Sequence, residues 1–302
     1  MSSPTVLLSV PSSAGAHHAG QDLAPAALRG RGFVDRLVAA GVDVDDRGDV
    51  AGEVFTVDSA NPTKRNLAAV LRVARAVADA VEEAHRTGAV AIVLGGDCTL
   101  TLGVLTGVQR VDRNAGLIYF DGDADLSGPG RTGSGILDAT GIAHLLGIAD
   151  TELGRLDGPQ PMLDDEHLVM LGFDETDPDS FDALVFAQRP ALLHFADHEV
   201  RADPAGVAAQ AVAAISAVAS SVVVHFDVDA VDSGDLPLGN FPHYGTGVAL
   251  SDAGEVLRVL CAVPGLAAIV LTEVNPTHDP DGGQLDRYIS TVTTAIGAAL
   301  AR

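Results

Sequence analysis

Apolar runs recur along the chain at residues 5–10, 41–44, 89–94, 115–120, 167–171, 191–195, 221–226 and 266–271. Most are apolar on both faces and rich in Val, Ile and Leu, which predicts strands buried on both sides, as in a parallel sheet. Helical stretches lie between most of them. The clearest are 66–85, 205–219 and 285–301, where Ala-rich sequence repeats apolar residues at three- and four-residue spacing. This alternation predicts a three-layer α/β/α fold whose central, mostly parallel sheet has about eight strands. No internal repeat, low-complexity tract or long Pro/Gly linker divides the sequence, so residues 1–302 are expected to form a single domain. Gly-, Pro- and Asp-rich stretches at 126–135, 174–182 and 233–247 follow strands and are expected to be site-forming loops.

Two of the runs end directly in acid: Asp121-Gly-Asp123-Ala-Asp125 and Asp227-Val-Asp229-Ala-Val-Asp232. If the extended conformation continues, alternation puts Asp121, Asp123 and Asp125 on one side, and likewise His225, Asp227 and Asp229. Carboxylates crowded at strand ends repel one another unless a cation sits between them. A divalent metal pair fills that role with hard oxygen ligands, and Mn or Mg suits such a donor set. A solvated turn rich in Asp is the plain alternative for either string alone. Two strings at matching strand ends favour a site, because open α/β sheets bind ligands at the carboxyl ends of their strands. A third motif, Gly95-Gly96-Asp97-Cys98-Thr99, turns from strand to helix, and its glycines permit a tight turn that aims Cys98 at the same edge. Glu273-Val274-Asn275-Pro276 follows another apolar strand.

Composition narrows the function classes. A formal net charge of −23 over 302 residues repels phosphate and anionic membrane surfaces, so neither nucleic acid nor membrane is expected as a partner, whereas a small cationic substrate is compatible. The two cysteines, Cys98 and Cys261, form no disulfide framework and suit a reducing compartment. Residues 1–5 lack a basic n-region and the apolar run 6–10 is too short for a signal core, so a cytoplasmic location is expected.

These motifs, together with the segment GQDLAPAALR at 20–29, resemble in order and spacing the arginase/agmatinase (ureohydrolase) superfamily over nearly the whole chain. The resemblance implies two Mn ions held by six residues. Cys98, Asp121, Asp125 and Asp227 would bind one ion, and Asp121, Asp123, Asp227 and Asp229 the other, with Asp121 and Asp227 bridging. Glu273 matches the carboxylate that binds a guanidinium, and Asp125 would also orient a bridging hydroxide as nucleophile. Asp177 falls where arginases hold the substrate's α-amino group, with Ser180 in place of a second acid, and Asp232 would lie just behind the ligands. The resemblance further implies a homo-oligomer, a trimer or hexamer.

The departures from that pattern are specific. The family's first string reads Asp-Ala-His-x-Asp, and the residue after its Gly-Gly-Asp is His; here Asp123 and Cys98 replace both ligating imidazoles. Five aspartates and a thiolate carry six negative charges against the four positive charges of two divalent ions, where four Asp and two His would balance. Fe, Co or Zn in place of Mn, a Cys98 thiol outside the ligand set, and a single ion all remain open. A family branch that hydrolyses N-hydroxyarginine carries Cys at the same position. Asp138 stands near the place of the arginase proton-shuttling His, within the loop 131–138 that carries substrate contacts in the family. His243 and His18, on loops near the carboxyl edge, are alternative shuttles. His225 is either a partner that orients Asp227 or a satisfied core histidine, and His144 and Cys261 are expected to pack in the interior.

The expected activity is hydrolysis of a linear C–N bond in a guanidino or hydroxyguanidino compound, with Asp125, Glu273 and His243 as catalytic residues and Asp138, Asp177 and Glu273 as substrate contacts. Two alternatives stay open: a non-catalytic relative that binds metal or ligand, and an amide hydrolase, since deacetylases share the fold with a single metal.

Overall fold

The computed structural model describes residues 4–128, 133–149, 152–157, 160–177 and 181–301. Its eight strands are β1 (Thr5–Ser9), β2 (Val44–Asp49), β3 (Val90–Leu94), β4 (Ala115–Phe120), β5 (Leu168–Leu171), β6 (Leu193–Phe195), β7 (Ser221–Asp227) and β8 (Leu266–Thr272). The α-helices are α1 (Ala24–Gly30), α2 (Phe33–Ala39), α3 (Leu67–Arg86), α4 (Leu100–Val111), α5 (Gly141–Leu145), α6 (Ala183–Gln188), α7 (Asp197–Ala202), α8 (Pro204–Ser216), α9 (Leu250–Leu260) and α10 (Gly283–Leu300). All strand pairs are parallel, in the order β2-β1-β3-β8-β7-β4-β5-β6.

Side-chain alternation splits the interior into two layers of core. On one face Ile92, Leu94, Ile118, Phe120, Val224, Phe226, Ile269 and Leu271 pack with α1, α2, α8, α9 and α10. On the other, Ala91, Val93, Leu117, Tyr119, Val223, Ala268 and Val270 pack with α3, α4 and α5. Helix α3 buries Val70, Val73, Ala74, Val77, Ala78, Val81 and Ala84, the three-and-four spacing that predicts it. Helix α8 starts where Asp203 accepts the Gly206 amide and Pro204 occupies the first turn.

One predicted strand is displaced. The apolar run 41–44 forms the turn into β2, while the strand itself is the largely exposed Val44–Asp49, of sequence VDDRGD. An edge strand has one free side and is protected from further pairing by charge, so hydrophobicity does not mark it.

Register sets the site. Leu94, Leu271, Phe226 and Phe120 lie side by side across β3, β8, β7 and β4, the four central strands. Those strands end almost level, and the residues that follow them converge.

Candidate metal centre

Each of the four central strands delivers one motif. The turn after β3 runs so close to the exit of β1 that a Cβ on Gly96 would lie 1.6 Å from the Ser12 carbonyl oxygen. Close approach, more than turn conformation, is what requires glycine there. Buried Asp97 fixes this turn by accepting from the amides of Gly15 (3.0 Å) and Thr99 (3.2 Å) and from the Thr99 hydroxyl. Glu273 donates its amide to Gly96 O at 2.9 Å, which joins the exits of β3 and β8.

The acidic strings converge by turns, and the extended alternation expected for them stops at the strand ends. Asp121 Oδ1 accepts the Asp123 amide at 2.7 Å and Asp227 Oδ1 accepts the Asp229 amide at 2.8 Å. Each leading aspartate thus spends one oxygen on its own turn and directs the other, Oδ2, to the centre. Asp229 Oδ1 accepts the Gly122 amide at 3.1 Å, lashing the strings together. Asp125 and Glu273 both hold left-handed backbone, at φ 49° and 64°, a strain that non-glycine residues keep only where their surroundings enforce it. The Tyr119 hydroxyl donates to Asp125 Oδ2 at 2.6 Å.

Cys98, Asp121, Asp123, Asp125, Asp227, Asp229, Asp138 and Glu273 line one cavity of about 40 Å³, with Ala139 and Phe241. That volume admits roughly three water-sized species. A depression of about 140 Å³ beside α4, lined by Arg110, Arg113 and Met162, contains none of these acids.

Burial pushes the carboxyls of Asp125, Asp138, Asp227, Asp229 and Glu273 well above the usual range, and their mutual repulsion adds to it. The Cys98 thiol is driven up by burial and by Asp227 and Asp121, so without a cation it keeps its proton and donates to Asp227 Oδ2 at 2.6 Å. Among the described residues no Lys or Arg lies within ion-pair distance of these acids; His225 and His243 do, at 3.4 Å from Asp121 Oδ2 and 3.6 Å from Asp123 Oδ2. Burial lowers the pKa of His225, whereas His243 is raised to about 9: Asp123 and Asp229 outweigh its burial.

Beside the acids lies a second group. The Cys98 amide donates to both Asp138 Oδ1 (2.8 Å) and Glu273 Oε1 (3.1 Å), and Gln21 Nε2 donates to Glu273 Oε2 at 2.8 Å. Asp138 Oδ2 and Gln21 Oε1 are buried acceptors without a donor. Gln21 opens the short 3-10 turn Gln21–Leu23 within the segment 20–29, which marked the family but gave Gln21 itself no role as a site residue.

The remaining candidates divide. Asp232 accepts the amides of Gly234 (2.7 Å) and Gly245 (3.1 Å) and so shapes the loop that carries His243. Asp177, half-buried after β5, does not line the cavity; its amide donates to Asp174 O at 3.3 Å. Ser180 and Arg131 lie outside the described residues. His18 is exposed, while its neighbour His17 meets Phe241 edge-on at 4.5 Å. His144 is buried against Thr140 (3.1 Å), with burial lowering its pKa to about 4, and Cys261 is buried as expected. Among the described residues no helix is long and apolar enough to cross a membrane.

Comparison with known proteins agrees over the full length. The family model described as Arginase family matches residues 3–302. An arginase from Brevibacillus brevis is 26% identical over 295 residues, covering 97% of this chain and 98% of that one. Arginase-1 of Mus musculus is 27% identical over 302 residues, covering 98% and 91%. The crystal structure of arginase from Bacillus cereus superposes with a TM-score of 0.85 at 25% identity, covering 99% of both chains.

Proposed function

Because the chain belongs to the arginase family of metal-dependent hydrolases, we propose that it hydrolyses a linear C–N bond in a guanidino or hydroxyguanidino compound at a divalent metal centre held by Cys98, Asp121, Asp123, Asp125, Asp227 and Asp229. The donor set suits the group: carboxylates with raised pKa values surround a cavity sized for ions and water, and no Lys or Arg among the described residues offsets them. Mn fits these hard ligands by family resemblance, and Fe, Co or Zn are compatible. When bound, the metal supplies Lewis acidity and an acidified water.

The observation that carries the substrate class is a pair of buried acceptors without donors, Asp138 Oδ2 and Gln21 Oε1, beside Glu273. A guanidinium has donors alone, so it complements Glu273 together with the unpartnered Asp138 Oδ2 and Gln21 Oε1. Asp125, oriented by the Tyr119 hydroxyl, aligns the attacking water. Asp138 accepts from the guanidinium at Oδ2, and its carboxyl, raised by burial and by Asp97, takes up the proton that the attacking water releases and passes it to the leaving nitrogen. His243 faces Asp123 and Asp229, so the shuttle role falls to Asp138. Asp177, on a loop outside the cavity, would contact only a longer substrate. The protein acts on a small cationic molecule in the cytoplasm as a homo-oligomer, a trimer or hexamer by family resemblance.

The test is turnover of a panel of guanidino and hydroxyguanidino compounds by the Mn-loaded chain, with urea or hydroxyurea release as readout. Hydrolysis of at least one, reduced ~10²-fold or more in Glu273→Gln, is expected. Cleavage of amides alone, or of nothing by metal-loaded protein, would overturn the reading.

A further inference from the structure

The fold brings two imidazoles to separate parts of the acidic cluster, His225 from β7 and His243 from the loop between β7 and α9. His225 lies in the row Val93–Val270–His225–Tyr119, one pleat below Asp227 and on the same face of β7. Its ring stacks on Tyr119 at 4.2 Å and stands fully buried. Nδ1 lies 2.7 Å from the Thr101 hydroxyl of α4, while Nε2 faces Asp121 Oδ2 (3.4 Å), Thr272 Oγ1 (3.3 Å) and the Cys98 sulfur (3.7 Å). The donor atoms of Cys98, Asp121, His225 and Asp227 all lie within 4.8 Å of one another.

Elsewhere in the cluster, the atoms of Asp123, Asp229 and His243 form a second such group. His243 is anchored through its backbone: its amide donates to Ser233 Oγ at 3.0 Å and its carbonyl accepts from the Ser233 amide at 2.9 Å. Its side chain is nine-tenths buried, yet Nε2 has no hydrogen-bond partner and points at the two acids. Gly122 makes the room. A Cβ there would come within 3.0 Å of His243 Cδ2, besides striking the Asp229 carbonyl oxygen at 2.6 Å.

We propose that His225 and His243 are metal ligands in separate parts of the cluster, His225 with Cys98, Asp121 and Asp227 and His243 with Asp123 and Asp229. This rests on the metal-dependent reading above and adds two neutral nitrogen donors to a set otherwise made of acids and one thiol. Thr101 serves as the outer partner that accepts Nδ1–H and leaves the Nε2 lone pair toward the ion, an arrangement metal-binding histidines regularly have. Octahedral ions with bonds of about 2.1 Å place adjacent ligand atoms roughly 3 Å apart, close to the separations at His225 and His243 before an ion draws them in.

The experiment titrates the chelated full-length chain with Mn(II), and with Fe(II), Co(II) and Zn(II) in parallel, and records metal stoichiometry, affinity and, for Mn, the electron spin-echo signal of directly bound imidazole nitrogen. The parent should show that nitrogen signal. His225→Phe and His243→Phe, which keep a ring but no donor, should each weaken one Mn site by ~10²-fold or more and remove part of the signal. Circular dichroism of the metal-free variants checks folding, and the parent spectrum stands independently of them. A parent that binds Mn without imidazole coupling, or variants that bind as the parent does, overturns this inference and spares the metal-dependent reading. A parent that binds no Mn, Fe, Co or Zn overturns both.

Discussion

The Cys98 thiol donates to Asp227 Oδ2 at 2.6 Å, and His225 Nε2 stands 3.7 Å from the same sulfur. The thiol lines the cavity of about 40 Å³, whose lining does not include His225, and an imidazole at position 98 would crowd the His225 ring beside it. Cys98→His alone is expected to lower Mn occupancy, whereas Cys98→His combined with His225→Ser restores it. Elemental analysis of the three proteins checks this; undiminished occupancy in the single variant would contradict it. Asp227→Ala, which removes an oxygen facing the centre and leaves its neighbours repelling one another, should abolish Mn binding.

Metal-free protein should be more stable in mild acid than at neutral pH. The folded-state pKa values of Asp125, Asp227, Asp229 and Glu273 lie above their unfolded values, and so does that of His243, at about 9. Each group then contributes stability that is complete below its unfolded pKa and is lost as pH rises through the folded one, at about 1.4 kcal/mol per proton and pH unit. Metal replaces those protons and reverses the trend. Urea midpoints at pH 5 and pH 8, with EDTA and with Mn, measure both slopes; a chelated protein more stable at pH 8 would refute the assignment.

His144 adds an opposite dependence outside the centre. Its pKa is lowered from 6.5 to about 4, chiefly by burial, so the folded state excludes a proton that the unfolded chain binds. Stability present above 6.5 is lost as pH falls toward 4, on the order of 3 kcal/mol over that window. In His144→Gln the loss between pH 7 and pH 4.5 should shrink by a comparable amount. Equal pH dependence in both proteins would show that His144 is protonated in the fold.

L-Arginine should be a poor substrate. The loop 131–138 has no His at the shuttle place that the family resemblance implies, Asp138 standing only near it, and Asp177, the expected contact for the α-amino group, does not line the cavity. Guanidines without an α-amino acid head should be turned over faster under identical Mn loading. Arginine hydrolysis near ~10² per second or above would contradict this.

Runs with apolar residues on both faces announced β1, β3, β4, β5, β7 and β8, because parallel strands covered by helices must be apolar on both sides. The ordered motifs that contain Cys98, Asp125, Asp229 and Glu273 likewise placed these residues at strand ends, since a strand exit is local information. Edge strand β2 escaped, because charge protects an edge and erases its hydrophobic signal. Tertiary structure alone decided what the histidines face. Nothing within the sequence SVVVHFD distinguishes a core histidine from one that meets Asp121; the level register of β3, β8, β7 and β4 puts His225 one pleat beneath the acids. His243 arrives from a loop folded by Asp232 and Ser233, and Gln21 reaches Glu273 across 252 residues of chain. Sequence fixes residue type and local conformation, whereas distances between groups on different strands follow from packing, which only the assembled sheet determines.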